Sequence, residues 1–249
     1  MHRQKILITG ASSGLGAGMA RAFAAKGRDL ALCARRVDRL EELKAELTAR
    51  HPGITVAIAA LDVNDHEAVA DVFARLAGEL GGLDRVIVNA GLGKGAPLGT
   101  GHLAANVATI ETNLVAALVQ IEHTLEMFRA AGAGHLVLVS SLVANRGLPG
   151  TLTAYAASKS GLTSIGQSLR AEFHGTPIKV TVLEPGYIES EMTARSNATK
   201  MVVDTDTGVA GLVKAIEAEQ GSAVVPAWPW RPVAALMRVA PTALVKRMA

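Results

Sequence analysis

The chain has 249 residues, 49% of them apolar and only 3% aromatic, with a formal net charge of +3 and one cysteine. That length suits one large domain with an ample core, and the weak aromatic content with abundant Ala, Val, Leu and Gly favours parallel strands beneath close-packed helices over a β-sandwich. A lone Cys33 excludes a disulfide framework or a paired-thiolate zinc site and fits a reducing cytoplasm. The charge lies on mixed-sign segments such as Arg39-Leu-Glu-Glu-Leu-Lys-Ala-Glu46 and forms no basic stripe, which argues against nucleic acid as a partner.

Short apolar runs alternate with amphipathic segments along the whole chain. Strands are expected at Lys5–Thr9, Asp29–Cys33, Thr55–Ala60, Arg85–Asn89, His135–Val139, Lys179–Leu183 and Ala223–Val225. Between them, helices are expected at Gly14–Lys26, Arg36–Arg50, Asp65–Leu80, Leu103–Ala131, Tyr155–Phe173 and Gly208–Gln220. This order predicts right-handed crossovers and a doubly wound α/β sheet of about seven parallel strands with helices on both faces, with ligands beyond the carboxyl ends of the strands. The first strand follows Met1-His-Arg-Gln-Lys5 directly, with no signal-peptide pattern, so the fold is expected to begin there. No repeat or linker divides the chain, so residues 1–249 read as one domain. Residues 187–208 lack a clear period and are expected to form a lid over the substrate site.

The first strand passes into the first helix through Thr9-Gly10-Ala-Ser12-Ser13-Gly14-Leu15-Gly16, which suits a phosphate-bearing dinucleotide: glycines let it approach the backbone, and exposed helix amides attract its charge. No Gly-Lys-Ser/Thr triplet supports a P-loop. The second strand ends in Cys33-Ala34-Arg35-Arg36, where a carboxylate is expected if ribose hydroxyls are to be held. Guanidinium groups there match a ribose phosphate, so Arg35 and Arg36 predict NADP(H), with hydroxyl contacts from Ser12 and Ser13. Tyr155-Ala-Ala-Ser-Lys159 places a phenol and an amine on one helical face, where the ammonium is expected to lower the phenol's pKa. Alone, that spacing also fits an ordinary solvated helix.

Taken together, these segments resemble the short-chain dehydrogenase/reductase family in its compact form. The resemblance rests on the glycine turn, Asn89-Ala90-Gly91, Asn113, Ser140-Ser141, Tyr155-x-x-x-Lys159 and Pro185-Gly186, and it covers nearly the whole chain. It implies a Rossmann-type three-layer fold and a hydride-transferring oxidoreductase. Tyr155 is then the acid-base group, Lys159 its tuner and a ribose ligand, and Ser141 the stabiliser of the substrate oxygen, with Ser140 the alternative for that role. Asn113 anchors a water that links Lys159 to solvent. Asn89, Ala90 and Gly91 line the adenosine ribose, Asp62 and Val63 contact the adenine, and Pro185, Gly186 and Ile188 adjoin the nicotinamide. Three departures from the family pattern are Val88 before Asn89, one extra residue between Ser141 and Tyr155, and Ser190 in place of a threonine.

The expected substrate is an apolar or medium-sized carbonyl or secondary alcohol; a 3-ketoacyl thioester, or a non-catalytic NADP sensor or scaffold role, is the alternative. The resemblance also implies a homodimer or homotetramer. The histidines, His135 among them, lack ligand spacing and are expected at the surface or an interface, with no metal site. No apolar run reaches about 20 residues, so a membrane span is not expected. Residues 231–249 read as an amphipathic extension carrying Arg238, Lys246 and Arg247, which packs on the domain or makes peripheral membrane contact.

Overall fold

A computed structural model describes residues 3–93, 95–189 and 202–246. Seven strands, β1 (Lys5–Thr9), β2 (Asp29–Ala34), β3 (Val56–Ala60), β4 (Arg85–Val88), β5 (Gly134–Val139), β6 (Ile178–Pro185) and β7 (Ser222–Val225), form one parallel sheet in the order β3-β2-β1-β4-β5-β6-β7. The helices are α1 (Gly14–Ala24), α2 (Val37–Arg50), α3 (His66–Leu80), α4 (Leu103–Ile110), α5 (Ala116–Ala131), α6 (Thr153–Glu172), α7 (Thr205–Glu217), α8 (Ala227–Val239) and α9 (Thr242–Val245).

Strand alternation builds the two sides of the sheet. Ile6, Ile8, Leu30, Leu32, Ile87 and Val137 face α1, α2 and α7, where Met19, Phe23, Leu40, Leu212 and Ile216 close the core. Leu7, Ala31, Val86, Val88, Leu136 and Leu138 face α3, α5 and α6 with Phe73, Leu76, Ile121, Phe128 and Leu162. Both faces are covered, which is why the strands read as continuous apolar runs in the sequence. After β3 the chain returns to place β4 beside β1, so the order reverses between those two strands and opens a crevice at their carboxyl ends.

Three differences from the sequence expectation have physical causes. The single helix expected over Leu103–Ala131 is interrupted by a π-helical turn, Glu111–Val115, with Asn113 buried in it. Apolar periodicity runs across such a turn without a break, whereas its wider winding redirects one side chain. His135 is fully buried near the start of β5, where a surface or interface position is expected, because Arg85 and Thr181 satisfy its two ring nitrogens. The last α/β segment also starts earlier than residue 208: Asp204 caps α7 by accepting from the Thr207 amide at 2.8 Å.

Of the expected lid, residues 190–201 lie outside the described residues, as does Ser190. The flanks of that span are joined: Glu189 N donates to Val203 O at 2.9 Å and Val203 N to Tyr187 O at 3.0 Å. In the carboxyl-terminal extension α8 kinks at Trp228, whose backbone is non-helical, and continues from Pro229, where no helical amide is needed, with Pro232 inside it. Its inner residues Trp230, Ala234 and Met237 join Leu142, Val143 and Ala156 in a third apolar cluster over the carboxyl end of the sheet.

Candidate active site

The glycine turn sits between β1 and α1, at the crevice. Gly10 takes φ 66°, a left-handed conformation, and a Cβ on it would meet the Ala90 Cα at 2.9 Å. A Cβ on Gly16 would collide with the Gly10 carbonyl and approach Asn89 Nδ2 to 2.8 Å. The β4 end is tied to this turn: Asn89 and Ala90 amides each donate to Thr9 Oγ1 at 3.1 Å, and Asn89 Nδ2 donates to Thr9 O at 2.9 Å. Asn89 therefore holds the loop in shape through its side chain. Leu15, in the first turn of α1, is partly buried against the core.

At the β2 end, Arg36 Nη2 donates to Ser13 Oγ at 2.6 Å and its Nε to Ser12 Oγ at 3.3 Å. Arg35 is exposed, its Nη1 3.9 Å from Asp62 Oδ2 at the end of β3. Two guanidinium groups and two hydroxyls thus meet beside a turn of glycine backbone, a donor set that fits a phosphate monoester. The Val63 side chain is buried under α3. Ile188 likewise turns its side chain into the core, 2% exposed, against the α7 glycine Gly208; only its backbone is left to face the crevice.

The π turn carries Asn113 to the back of the crevice. Its Oδ1 accepts from Leu92 N at 2.7 Å while its Nδ2 donates to Leu92 O at 2.9 Å and to Ser158 Oγ at 3.2 Å. Ser158 in turn donates to Tyr155 O at 2.8 Å, so Asn113 is fastened to the helix that bears the tyrosine. A Cβ on Gly91 would stand 3.1 Å from Asn113 Oδ1 and 3.5 Å from Lys159 Nζ, which shows how closely the three residues converge.

Lys159 lies 5% exposed on α6, and its Nζ donates to Val139 O at 2.8 Å. Burial pulls its pKa down from the usual 10.5 to about 8. Burial also raises the Tyr155 phenol, a hydrogen bond from the Ser141 side chain opposes that rise, and nearby Tyr187 adds to it. Lys159 is not among the causes that move the phenol. The Nζ sits 6.0 Å from the ring centroid and is directed to a carbonyl, so desolvation outweighs the attraction of its charge.

The two candidate serines separate by geometry. Ser140 is 3% exposed and its Oγ donates to Lys159 O at 2.9 Å and meets Thr163 Oγ1 at 2.7 Å. Ser141 Oγ accepts from Val143 N at 3.4 Å and is the serine side chain that opposes the rise of the Tyr155 phenol. Both follow the end of β5 at Val139 in extended backbone, and alternation sends the first inward and the second to the crevice.

Sequence reasoning overlooked Trp230 and Tyr187. Trp230 is 2% exposed, its ring covers Gly186 so closely that a Cβ there would lie 2.5 Å from three ring carbons, and it meets Tyr187 edge-on at 5.6 Å. Together with Leu142, Val143 and Leu152 these rings give the region around Tyr155 an apolar wall. The available signals were Tyr187 immediately after Pro185-Gly186 and both tryptophans of the chain in Trp228-Pro-Trp230. Among the described residues no group of His, Cys, Asp and Glu is arranged to hold a metal.

Known proteins place this arrangement. The family model for short chain dehydrogenases matches residues 4–201. An uncharacterized oxidoreductase of Mycobacterium tuberculosis is 68% identical over 247 residues, covering 99% of this chain and 98% of the relative. Among solved structures, levodione reductase superposes with a TM-score of 0.82 at 25% identity, covering 93% of this chain and 98% of its own. The NADPH-dependent 3-quinuclidinone reductase from Rhodotorula rubra gives 0.80 at 26% identity, covering 89% of each chain. With its seven-stranded parallel sheet and the family model spanning most of its length, the chain belongs to the short-chain dehydrogenase/reductase family of oxidoreductases.

Proposed function

We propose that the protein is an NADP(H)-dependent carbonyl reductase, reversible as an alcohol dehydrogenase, acting in the cytoplasm on an apolar or medium-sized ketone or aldehyde. The observation that carries this reading is the convergence of Lys159, Asn113 and Gly91 behind the turn of α6 that bears Tyr155, with Asn113 fastened to that turn through Ser158.

A phenol raised above its ordinary pKa is protonated at neutral pH, the state needed to give a proton to a carbonyl oxygen. Ser141 shares that proton's hydrogen bond and is placed to donate to the same substrate oxygen as negative charge grows on it. Lys159, with a pKa of about 8, is mostly cationic at neutral pH and steadies the phenolate that is left. Asn113 fixes the Leu92 backbone and, through Ser158, the turn of α6 that presents Tyr155. The nicotinamide cofactor, when bound, supplies or accepts the hydride at the substrate carbon.

Gly10, Gly14, Leu15 and Gly16 with Ser12 and Ser13 would hold its pyrophosphate, and Arg35 and Arg36 its ribose phosphate. Asp62, Val63, Asn89, Ala90 and Gly91 would line the adenosine side, and Lys159, Pro185, Gly186 and the Ile188 backbone the nicotinamide side. The NADPH named for the Rhodotorula relative supports the same preference. Leu103, Val107, Val115 and Leu118, exposed along α4 and α5, offer a second copy of the chain an apolar face, which supports a homo-oligomer.

A panel of ketones and aldehydes assayed by loss of NADPH absorbance tests the reading. At least one apolar carbonyl is expected to be reduced by the wild type and not by Tyr155→Phe; equal traces for both proteins across the panel would leave a sensor as the better account. Arg35→Ala is expected to weaken NADPH binding by about tenfold while changing NADH binding little, since one charge-assisted hydrogen bond carries roughly that factor. Equal losses for both nucleotides would remove the cofactor assignment.

A further inference from the structure

Two apolar patches are exposed among the described residues, and the charge around them differs. The patch on α4 and α5 shares its helices with Glu111, Glu122 and Glu126, and Glu111 is paired with His66. The second patch lies on the carboxyl-terminal helices, where Trp228 is 79% exposed, Leu236 51%, Val239 77% and Leu244 40%. On α8, exposed Pro232, Ala235, Leu236 and Val239 recur at the helical repeat and form one stripe, opposite the buried Trp230, Ala234 and Met237. Arg231 and Arg238, two turns apart, run along one margin of that stripe. From Gly221 to Ala249 the chain contains Arg231, Arg238, Lys246 and Arg247 and no acidic residue.

We propose that the outer face of α8 and α9 is a docking surface for an anionic lipid membrane. An apolar stripe edged only by cations is the pattern of a helix that lies in the interfacial plane, with apolar side chains among the acyl chains and guanidinium groups at the phosphates. Trp228, apolar in body with one polar N–H, is suited to the headgroup level. A second copy of the chain is a poorer occupant: a two-fold contact sets this face against itself and brings Arg231 and Arg238 toward like charges, with no carboxylate in the segment to offset them. The face is also prepared in advance. Trp230 seats α8 on Gly186, and Arg238 Nε donates to Asn145 Oδ1 at 2.8 Å, with Asn145 Nδ2 donating to the buried Glu184 at 2.6 Å. Docking therefore requires no folding of the helix.

The test is sedimentation of the full chain with sucrose-loaded vesicles of phosphatidylcholine alone or mixed with phosphatidylglycerol. Pelleting is expected with the anionic vesicles only, declining as salt rises, and accompanied by a blue shift of tryptophan emission. Trp228→Phe is expected to remove the shift while pelleting persists, because Trp230 is buried in both states. Arg231→Glu with Lys246→Glu should lower partitioning by more than about twentyfold, at roughly fivefold for each basic side chain lost. Leu236→Ser with Val239→Ser should lower it as well, with the thermal midpoint unchanged because both residues are exposed. No pelleting on anionic vesicles at low salt, equal pelleting on both vesicle types, or indifference to both double variants overturns the proposal. So does a lipid-free Leu236→Ser/Val239→Ser protein that sediments as a smaller oligomer, which would assign the face to subunit contact. None of these readings depends on the proposed reaction.

Discussion

At the amino end of the sheet Arg85 is 1% exposed, yet its Nε donates to His135 Nδ1 at 2.9 Å, its Nη1 to Glu217 Oε1 at 2.7 Å and its Nη2 to the Ile216 carbonyl. Arg28 also reaches Glu217 at 2.9 Å, and Arg3 pairs with Glu219 at 2.8 Å. At the carboxyl end, by contrast, the buried cation Lys159 makes one hydrogen bond to a carbonyl, with no carboxylate paired to it among the described residues. One end closes its charges upon each other and joins β4, β5, β6 and α7. The other leaves polar capacity unspent at the strand ends where ligands bind in such sheets. Buried polarity thus serves cohesion at one edge and chemistry at the other, and the two roles should separate under mutation.

The largest separation is expected for Tyr155→Phe. Loss of the acid should lower carbonyl reduction by about 10³-fold, or roughly 4 kcal/mol of barrier, with the urea midpoint essentially unchanged. Initial rates beside an unfolding curve on the same preparation check this, and a large stability loss would contradict the division. The converse variant, Arg85→Met, strips His135 and Glu217 of a shared donor and should destabilise by about 3 kcal/mol, with Glu217 still held by Arg28. Rates normalised to folded protein should stay within about twofold. A variant as stable as wild type but slow would place Arg85 in the functional half.

Lys159→Met should break the symmetry between the two edges in the opposite sense. A pKa held near 8 by burial means that the folded state disfavours the ammonium, so at pH 7 the substitution should stabilise the cofactor-free protein by about 2 kcal/mol while abolishing activity. Between the folded value and the usual 10.5, the folded protein binds fewer protons than the unfolded chain. Wild-type stability should therefore rise as pH climbs from 8 to 10, narrowing the gap to the variant. Urea unfolding at pH 7 and pH 9.5 measures both effects. A less stable Lys159→Met protein at pH 7 would show that the lysine binds the fold together as Arg85 does.

The legibility of the molecule follows the same division between local and distant causes. Strand positions such as Lys5–Thr9 and Arg85–Val88 were readable because strands buried on both faces appear as apolar runs, and the glycine turn because its spacing is a local backbone requirement. Ser140 and Ser141 could not be told apart by counting, since the choice depends on Thr163 and the Lys159 carbonyl pointing at one of them across α6. The π turn was hidden because the apolar pattern of Leu103–Ala131 continues through it, although it directs Asn113. Arg85 and His135 lie 50 residues apart and Arg85 and Glu217 132 apart, so no local pattern joins them in the sequence. The influence of Lys159 on Tyr155 is a related case: spacing on a helix gives proximity, whereas a pKa shift depends also on how deeply both groups are buried.

His135 offers the finest test of the amino-end network. Its pKa is pushed well below the usual 6.5, first by burial and then by the Arg85 and Arg3 charges. It is therefore neutral in the folded protein where the unfolded chain would accept a proton, so stability is retained above about pH 6.5 and lost as the pH falls below it. The loss should approach about 1.4 kcal/mol per pH unit from this residue alone, until the folded state protonates. Urea unfolding at pH 7.0, 6.0 and 5.0 should show that slope beyond the carboxylate contribution, and His135→Gln should reduce it by one proton's worth while leaving the Tyr155 rate at pH 7 unaltered. If the slope survives His135→Gln intact, proton uptake occurs elsewhere and the closed network at the amino edge is not what makes the fold acid-sensitive. If instead the rate changes with it, the two edges are coupled through β5, the strand that carries His135 near its start and leads into Ser140 and Ser141.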